Sequence, residues 1–214
     1  MKKRFSLCLL LVTLLVATFP AQAVEKPNSK TVITAEPYLP DIKIEVVVPA
    51  SGNVYINPNR LPVKVGANIE NKQVVSDSFC IENLSDVPLK VSVEVTGKIK
   101  SGSDMGLTTS STASLTTKSK KAFMYLEILS ASDPSTVEWS NAFNAKKHVV
   151  VREATTAKKD IVIVGANEQE KRFGVFRLAG DCVQNPRDAW TEKDGVEVEV
   201  AFTFSPLPVG TTIP

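Results

Sequence analysis

One histidine, two cysteines beyond the N-terminal apolar run and a few spaced carboxylates bound the chemistry open to this 214-residue chain. Any Ser-His-Asp or Cys-His scheme must pass through His148. It stands in "KKHVVV", behind two lysines where a strand begins, and is expected to be an exposed strand-end residue. No H-E-x-x-H, G-x-S-x-G, phosphate-loop or dinucleotide glycine pattern occurs. Glu197 and Glu199 are two apart on one face of a predicted strand, where acids serve solubility. A glycosidase instead needs two carboxyls facing each other across a sugar. Asp181, Asp188 and Asp194, and Asp133 near Glu138, could hold calcium, but the ordered acidic loop with its glycine is absent, so solvated loops are expected. Asn83-Leu84-Ser85 matches a glycosylation sequon too short to carry weight. Trp139 and Trp190 could each stack on a sugar. Trp190, following "NPRDA" in a loop, is the candidate ligand platform. No catalytic set, metal site or cofactor site emerges, and the expectation is a non-enzymatic protein.

The N-terminus sets the compartment. Lys2, Lys3 and Arg4 precede a compact apolar run over residues 5–19, and Ala21-Gln22-Ala23 is a small-x-small cleavage site. This order predicts a secretory signal peptide over 1–23, cut between Ala23 and Val24, and an exported, extracellular or cell-surface protein. An uncleaved anchor is the alternative, but the run falls short of the ~20 residues of a spanning helix. Cys8 lies inside the apolar run and is not read as a lipidated cysteine. Without Lys2, Lys3 and Arg4, the 25 basic and 23 acidic residues become 22 against 23. A near-neutral chain excludes an electrostatic nucleic-acid binder and gives no polybasic membrane surface. Stable membrane insertion after cleavage is not expected.

Cys80 and Cys182 remain, an even pair in an exported chain, and one disulfide is the natural reading, with two free thiols the alternative. The bridge would close a loop worth up to ~4.7 kcal/mol in the chain-entropy model. One feature opposes it. If Phe79 and Ile81 face the core, Cys80 points away unless a bulge intervenes.

The elements that position these residues repeat every two residues. Ile42, Ile44, Val46 and Val48 share one face, as do Leu89, Val91, Val93 and Val95. Val196, Val198, Val200, Phe202 and Phe204 form a third such face. Further strands are predicted over 147–153, 159–165 and 172–180. "AFMYLEIL" (122–129) fits a short helix or a strand, and its aromatic and β-branched content favours the strand. Turn residues separate the runs at 49–53, 57–62, 85–88, 101–106, 132–135, 165–170 and 192–195. The Ser/Thr-rich stretch 107–121 is expected to be an exposed loop or mobile edge. Half-buried alternating strands between regular turns predict an all-β fold, an antiparallel β-sandwich of jelly-roll or Ig-like type with little helix. The expected organisation is an extended segment over 24–40, one sandwich domain over 41–206 and an irregular tail over 207–214.

"VVSDSFCIENLSDVPLKVSVEVTG" (74–97) ends a strand in Glu-Asn, turns at a proline and returns as an alternating strand. It resembles a segment of TasA/camelysin-type secreted bacterial surface and biofilm-fibre subunits, through Ile81, Asn83, Ser85, Pro88 and Val91. The closing strand of those chains is similar to 196–204. The resemblance covers about a quarter of the exported chain, and the two cysteines and the proline-rich tail depart from it. It implies a jelly-roll subunit that assembles outside the cell, an extended N-terminal segment of one copy completing the sheet of the next. Thr31, Val32, Ile33 and Thr34 are the candidate donor strand, and pairing within their own domain is the alternative. The chain is thus expected to be a structural or adhesive protein that self-associates or binds other surface proteins. A secreted carbohydrate- or ligand-binding module, taking a glycan at Trp190, is the second expectation.

Overall fold

Thirteen short and long strands, and only two single-turn 3-10 segments (Thr112–Ser114 and Pro134–Thr136), make up the regular structure of the described residues. The computed structural model describes residues 43–65, 68–115, 120–140, 142–183 and 190–214. The cleavage site Ala23/Val24, the candidate donor strand Thr31–Thr34 and Asp188 lie outside the described residues. In chain order the strands are β1 (Val46–Val47), β2 (Val54–Ile56), β3 (Val63–Val65), β4 (Asn68–Glu70), β5 (Val74–Ser76), β6 (Phe79–Asn83) and β7 (Leu89–Ile99). They continue as β8 (Gly106–Thr108), β9 (Lys121–Ala131), β10 (His148–Val150), β11 (Lys159–Val164), β12 (Phe173–Cys182) and β13 (Val196–Pro206).

The strands form a sandwich. One sheet has the order β1-β6-β12-β9-β10, with β8 added in parallel beside β9. The other has the order β11-β7-β13. The pairs β2–β5 and β3–β4 are accessory ribbons. Alternation decides which face is inside. Leu89, Val91, Val93 and Val95 of β7 are all fully buried and face Met124, Leu126, Ile128, Phe176 and Leu178 of the larger sheet. Burying side chains of this size contributes about 1.5–3 kcal/mol each. The strand β9 behaves differently. Its inward residues Ala122, Met124, Leu126 and Ile128 are buried, and so are Phe123, Tyr125 and Glu127 on its outer face. A strand covered on both faces loses alternation, which is why residues 122–129 read almost continuously apolar.

The turn after Asn83 is a corner, not a hairpin. β6 belongs to the larger sheet and β7 to the smaller, and the two do not pair. Asn83 is fully buried at this corner. Its Nδ2 donates to the carbonyls of Val87 (3.0 Å) and Gly165 (2.7 Å), and its Oδ1 accepts from the Ser85 N–H (2.9 Å). Gly165 begins the return crossing from β11 to β12, so one amide ties both corners together. The sequon asparagine has no exposed nitrogen in the folded chain.

The two long sides of the sandwich differ. On one, the chain after β10 passes from sheet to sheet. Val151 N–H still bonds Met124 O on β9, the Gly97 N–H of β7 then bonds Arg152 O, and Thr156 N–H bonds Val95 O. Backbone closes that side. On the other, β13 pairs with β7 alone among the described residues.

Four expectations are corrected. The run 42–49 yields only the two-residue β1, and Ile44, Val47 and Val48 are exposed. The chain after β1 is irregular and passes the Phe79 ring at Gly52, where a Cβ would lie 1.6 Å from Phe79 Cε1, before it forms β2 beside β5 in a separate ribbon. Part of 107–121 is ordered: β8 pairs with β9, and Asp181 caps the turn Thr112–Ser114 through Thr112 N–H (2.7 Å) and the Ser111 hydroxyl (2.7 Å). His148 is buried, not exposed. Cys80 and Cys182 are free thiols. Cys80 lies opposite Val175 of β12, and Cys182 is seven residues further along that strand. At about 3.3 Å per residue the separation is roughly 23 Å, beyond any bridge. The predicted facing holds: Ile81 is fully buried, Phe79 packs on the core and Cys80 lies on the other face.

Residues Asp41–Pro214 form one compact unit. The tail from Leu207 has no strand, and its end is tied down where Lys171 Nζ donates to Pro214 O (2.7 Å).

Candidate functional site: an open sheet edge and a buried ionic row

The open side of the sandwich exposes an apolar groove of about 130 Å³. Val198, Val200 and Phe202 of β13 form one wall, and Val54, Phe79 and Phe176 the other. Three rings bridge the sheets: Phe79 to Phe176 at 5.2 Å between centroids, and Phe176 to Phe202 at 5.0 Å. The inward row of β13, from Val196 to Phe204, is only half-buried, unlike the matching row of β7. β13 is eleven residues long, and one row of its backbone N–H and C=O groups has no strand partner among the described residues. An uncovered edge beside an apolar groove is the form an added strand fits. Glu197 and Glu199 project outward from it, and Glu199 pairs with Lys98 at 2.9 Å.

The outer face of the larger sheet carries a different arrangement. Strand register sets Arg177 (β12), Glu127 (β9) and His148 (β10) in one transverse row. All three are buried, at 6 %, 2 % and 4 % exposure. Arg177 Nη2 reaches Glu127 Oε2 at 3.3 Å, and His148 Nε2 lies 3.1 Å from Glu127 Oε1. Asn144 N–H donates to His148 Nδ1 at 2.6 Å, which makes Nδ1 the acceptor and leaves Nε2 to donate to Glu127. Arg177 also donates to Ser140 O (3.0 Å) and lies over the Trp139 ring (4.6 Å). Lys159 Nζ donates to Ala145 O and His148 O, and desolvation lowers its pKa. Phe143 stacks on His148 and contacts Tyr125. This row latches the segment 134–147 onto the sheet. Both His148 ring nitrogens are thus engaged, Nδ1 by the Asn144 N–H and Nε2 by Glu127, and among the described residues no serine or cysteine hydrogen-bonds the ring.

No protein-family model, no curated protein and no solved structure matches the chain.

The other residues singled out in the sequence make the following contacts. The Trp190 ring packs against the main core and its Nε1–H donates to Val183 O (3.1 Å), the position of a rim aromatic. Asp194 accepts from Lys120 (2.9 Å), Thr191 N–H (2.6 Å) and Ser103 (3.1 Å). Burial pushes its carboxyl up, but these donors outweigh it and bring the pKa to about 2. Asp133 caps the second 3-10 turn through Ser135 N–H (2.8 Å). Asp181, Asp194 and Asp133 thus serve separate caps. Burial, and then Asp181, push the Cys182 thiol up to about 12. Burial also raises Cys80, with Glu82 adding to it. The ionic row escaped the sequence because Glu127, His148 and Arg177 meet only through register. Its one local signal was a lone glutamate inside an apolar strand.

Proposed function

We propose that this chain is an exported, non-enzymatic structural subunit that self-associates by strand addition, a neighbouring copy's N-terminal segment pairing with β13. The observation that carries the reading is the open edge: an eleven-residue strand without an outer partner among the described residues, beside a groove lined by Val198, Val200, Phe202, Phe79 and Phe176. The proposed donor is residues 29–36, centred on Thr31, Val32, Ile33 and Thr34. Its β-prone composition suits the task, and the likeness of residues 74–97 to fibre-subunit segments points the same way. Position supports it too. Residues 29–36 shortly precede β1 in the chain, β1 is an edge strand of the larger sheet, and the residues after it, Pro49 to Val54, line the groove. Eight residues separate Thr34 from Lys43, including Pro37 and Pro40, a composition that suits an extended linker.

Electron microscopy of the purified protein tests the reading. Filaments or ordered assemblies are expected from the chain beginning at Val24, and their loss on deleting residues 24–36 or on Val200→Lys in the groove. Monomers at high concentration with and without the segment would refute it, as would assembly unaffected by both changes.

A further inference from the structure

Two adjoining clefts, of about 240 and 430 Å³, open on the outer face of the larger sheet and share Lys72, Val74, Arg177 and Ala179 as walls. The first is lined by three cationic side chains, Arg60, Lys72 and Arg177. The second runs between the β3–β4 ribbon and the segment around Pro134–Trp139, and adds Trp139, Glu70 and Asp77. Its size falls within the range of small-ligand pockets.

Arg177 between them is under-satisfied. A guanidinium carries five donors. Both of the hydrogen bonds Arg177 makes come from Nη2, and its Nε is sealed from solvent without a partner among the described residues. Native proteins rarely leave a buried charged donor in that state. Glu127, its ion partner, is shared with His148. Lys72 is paired with Glu70 at 2.8 Å, and Asp77 accepts only long bonds from Asn53, at 3.3 and 3.4 Å. The clefts therefore set three cationic side chains, two carboxylates and a partly exposed indole along one continuous lining, with Lys72 paired to Glu70 and Arg177 lying over the Trp139 ring.

We propose that these clefts bind a carboxylated saccharide. One carboxylate of the ligand meets Arg177 with Arg60 and Lys72. The hydroxyls donate to Glu70 and Asp77, and a sugar ring lies against Trp139. The carboxylates select hydroxyl donors and repel a densely charged polyanion, so a nucleic acid or polyphosphate does not fit. A neutral sugar brings no carboxylate to these cations. The site is separate from the β13 groove, which opens between the sheets, and it moves the sugar platform from Trp190 to Trp139.

Titration calorimetry and tryptophan fluorescence with trigalacturonate and sialyllactose test the assignment, with maltotriose and inorganic phosphate as comparators. At least one acidic saccharide is expected to bind saturably and at least tenfold more tightly than either comparator. Trp139→Ala is expected to weaken it tenfold or more. Arg60→Ala and Lys72→Ala, on solvent-facing side chains that leave the fold intact, are each expected to weaken it several-fold. The proposal is overturned if neither acidic saccharide binds at millimolar concentration, or if maltotriose or phosphate binds equally well. It is also overturned if both cation variants keep full affinity, or if Trp190→Ala abolishes binding that Trp139→Ala leaves intact.

Discussion

Replacing Asn83 by alanine should be among the most damaging single changes in the molecule. The side chain is fully buried and makes three hydrogen bonds of 2.7–3.0 Å, to Val87 O, Gly165 O and Ser85 N–H. Alanine would leave three backbone groups at the corner without these partners. Each buried group stripped of its partner costs about 1–3 kcal/mol, and partial hydration of the vacated space recovers some of it. The expected loss is about 3–5 kcal/mol, a large share of the 5–15 kcal/mol that stabilises a typical domain. For a domain of this size that is a fall in Tm of roughly 6–20 °C. Urea unfolding should show the midpoint displaced with an unchanged slope. Asn83→Asp is the sharper control. It keeps an acceptor for Ser85 N–H but sets a carboxylate oxygen against the carbonyls of Val87 and Gly165, so it should destabilise at least as much as alanine. A loss below about 1 kcal/mol in Asn83→Ala, or an aspartate variant as stable as the parent, would show that the corner does not depend on this amide.

Three other predictions concern separate parts of the fold. Unfolded, unreduced protein should take up an alkyl group at both Cys80 and Cys182, and in the folded state Cys182, 2 % exposed with its thiol raised to about 12, should react far more slowly than Cys80. A linked Cys80–Cys182 peptide in the mass spectrum would refute this. Glu127→Gln removes the carboxylate shared by Arg177 and His148 and should cost about 3 kcal/mol by leaving a buried charge uncompensated, with part regained in the Glu127→Gln/Arg177→Met double variant. A single variant unfolding at the parental midpoint would show that the row contributes nothing. Asp194 is held near 2, below its ordinary 3.8, so its stabilisation is present above pH 4 and lost as pH falls from about 4 to 2. Acid unfolding of Asp194→Asn should lack that component, and identical acid limbs in variant and parent would contradict it.

What the sequence showed depended on whether a residue's neighbours were near in the chain or only in space. β7 and β13 were legible because each keeps one apolar row over eleven residues. The turn at Asn83–Pro88 was legible from its residue types. Its role as a corner was not, since the same residues serve a hairpin, and only the pairing partners of β6 and β7 distinguish the two. The segment 42–49 misled because its alternation is present in the sequence, while only Val46 and Val47 find a partner strand, in β6. The cysteine pair misled for a related reason. An even count in an exported chain says nothing of register, and register sets Cys80 opposite Val175. The Arg177–Glu127–His148 row needs three strands aligned at once, across sequence gaps of 50 and 21 residues, and no local pattern encodes that.

The unequal sides of the sandwich make the mode of assembly accessible to a thermodynamic test. The side closed by residues 151–156 is bonded within the chain, so its contribution to stability does not depend on concentration. The β13 side is different. Its half-buried row from Val196 to Phe204, and the backbone row that has no strand partner among the described residues, gain free energy from an added strand. If residues 29–36 of the same chain cover it, the gain is intramolecular, and Tm is the same at any dilution. If a second copy supplies the strand, stability follows mass action, and Tm rises with protein concentration. A tenfold increase in available partner adds up to about 1.4 kcal/mol once binding exceeds half-saturation, or roughly 3–5 °C for a domain of this size. Scanning calorimetry across a hundredfold range of concentration separates the cases. A rising Tm that is abolished by deleting residues 24–36 supports exchange of the segment between copies. A constant Tm that falls uniformly on the same deletion assigns the strand to its own domain, and a Tm indifferent to both removes the segment from the β13 edge altogether.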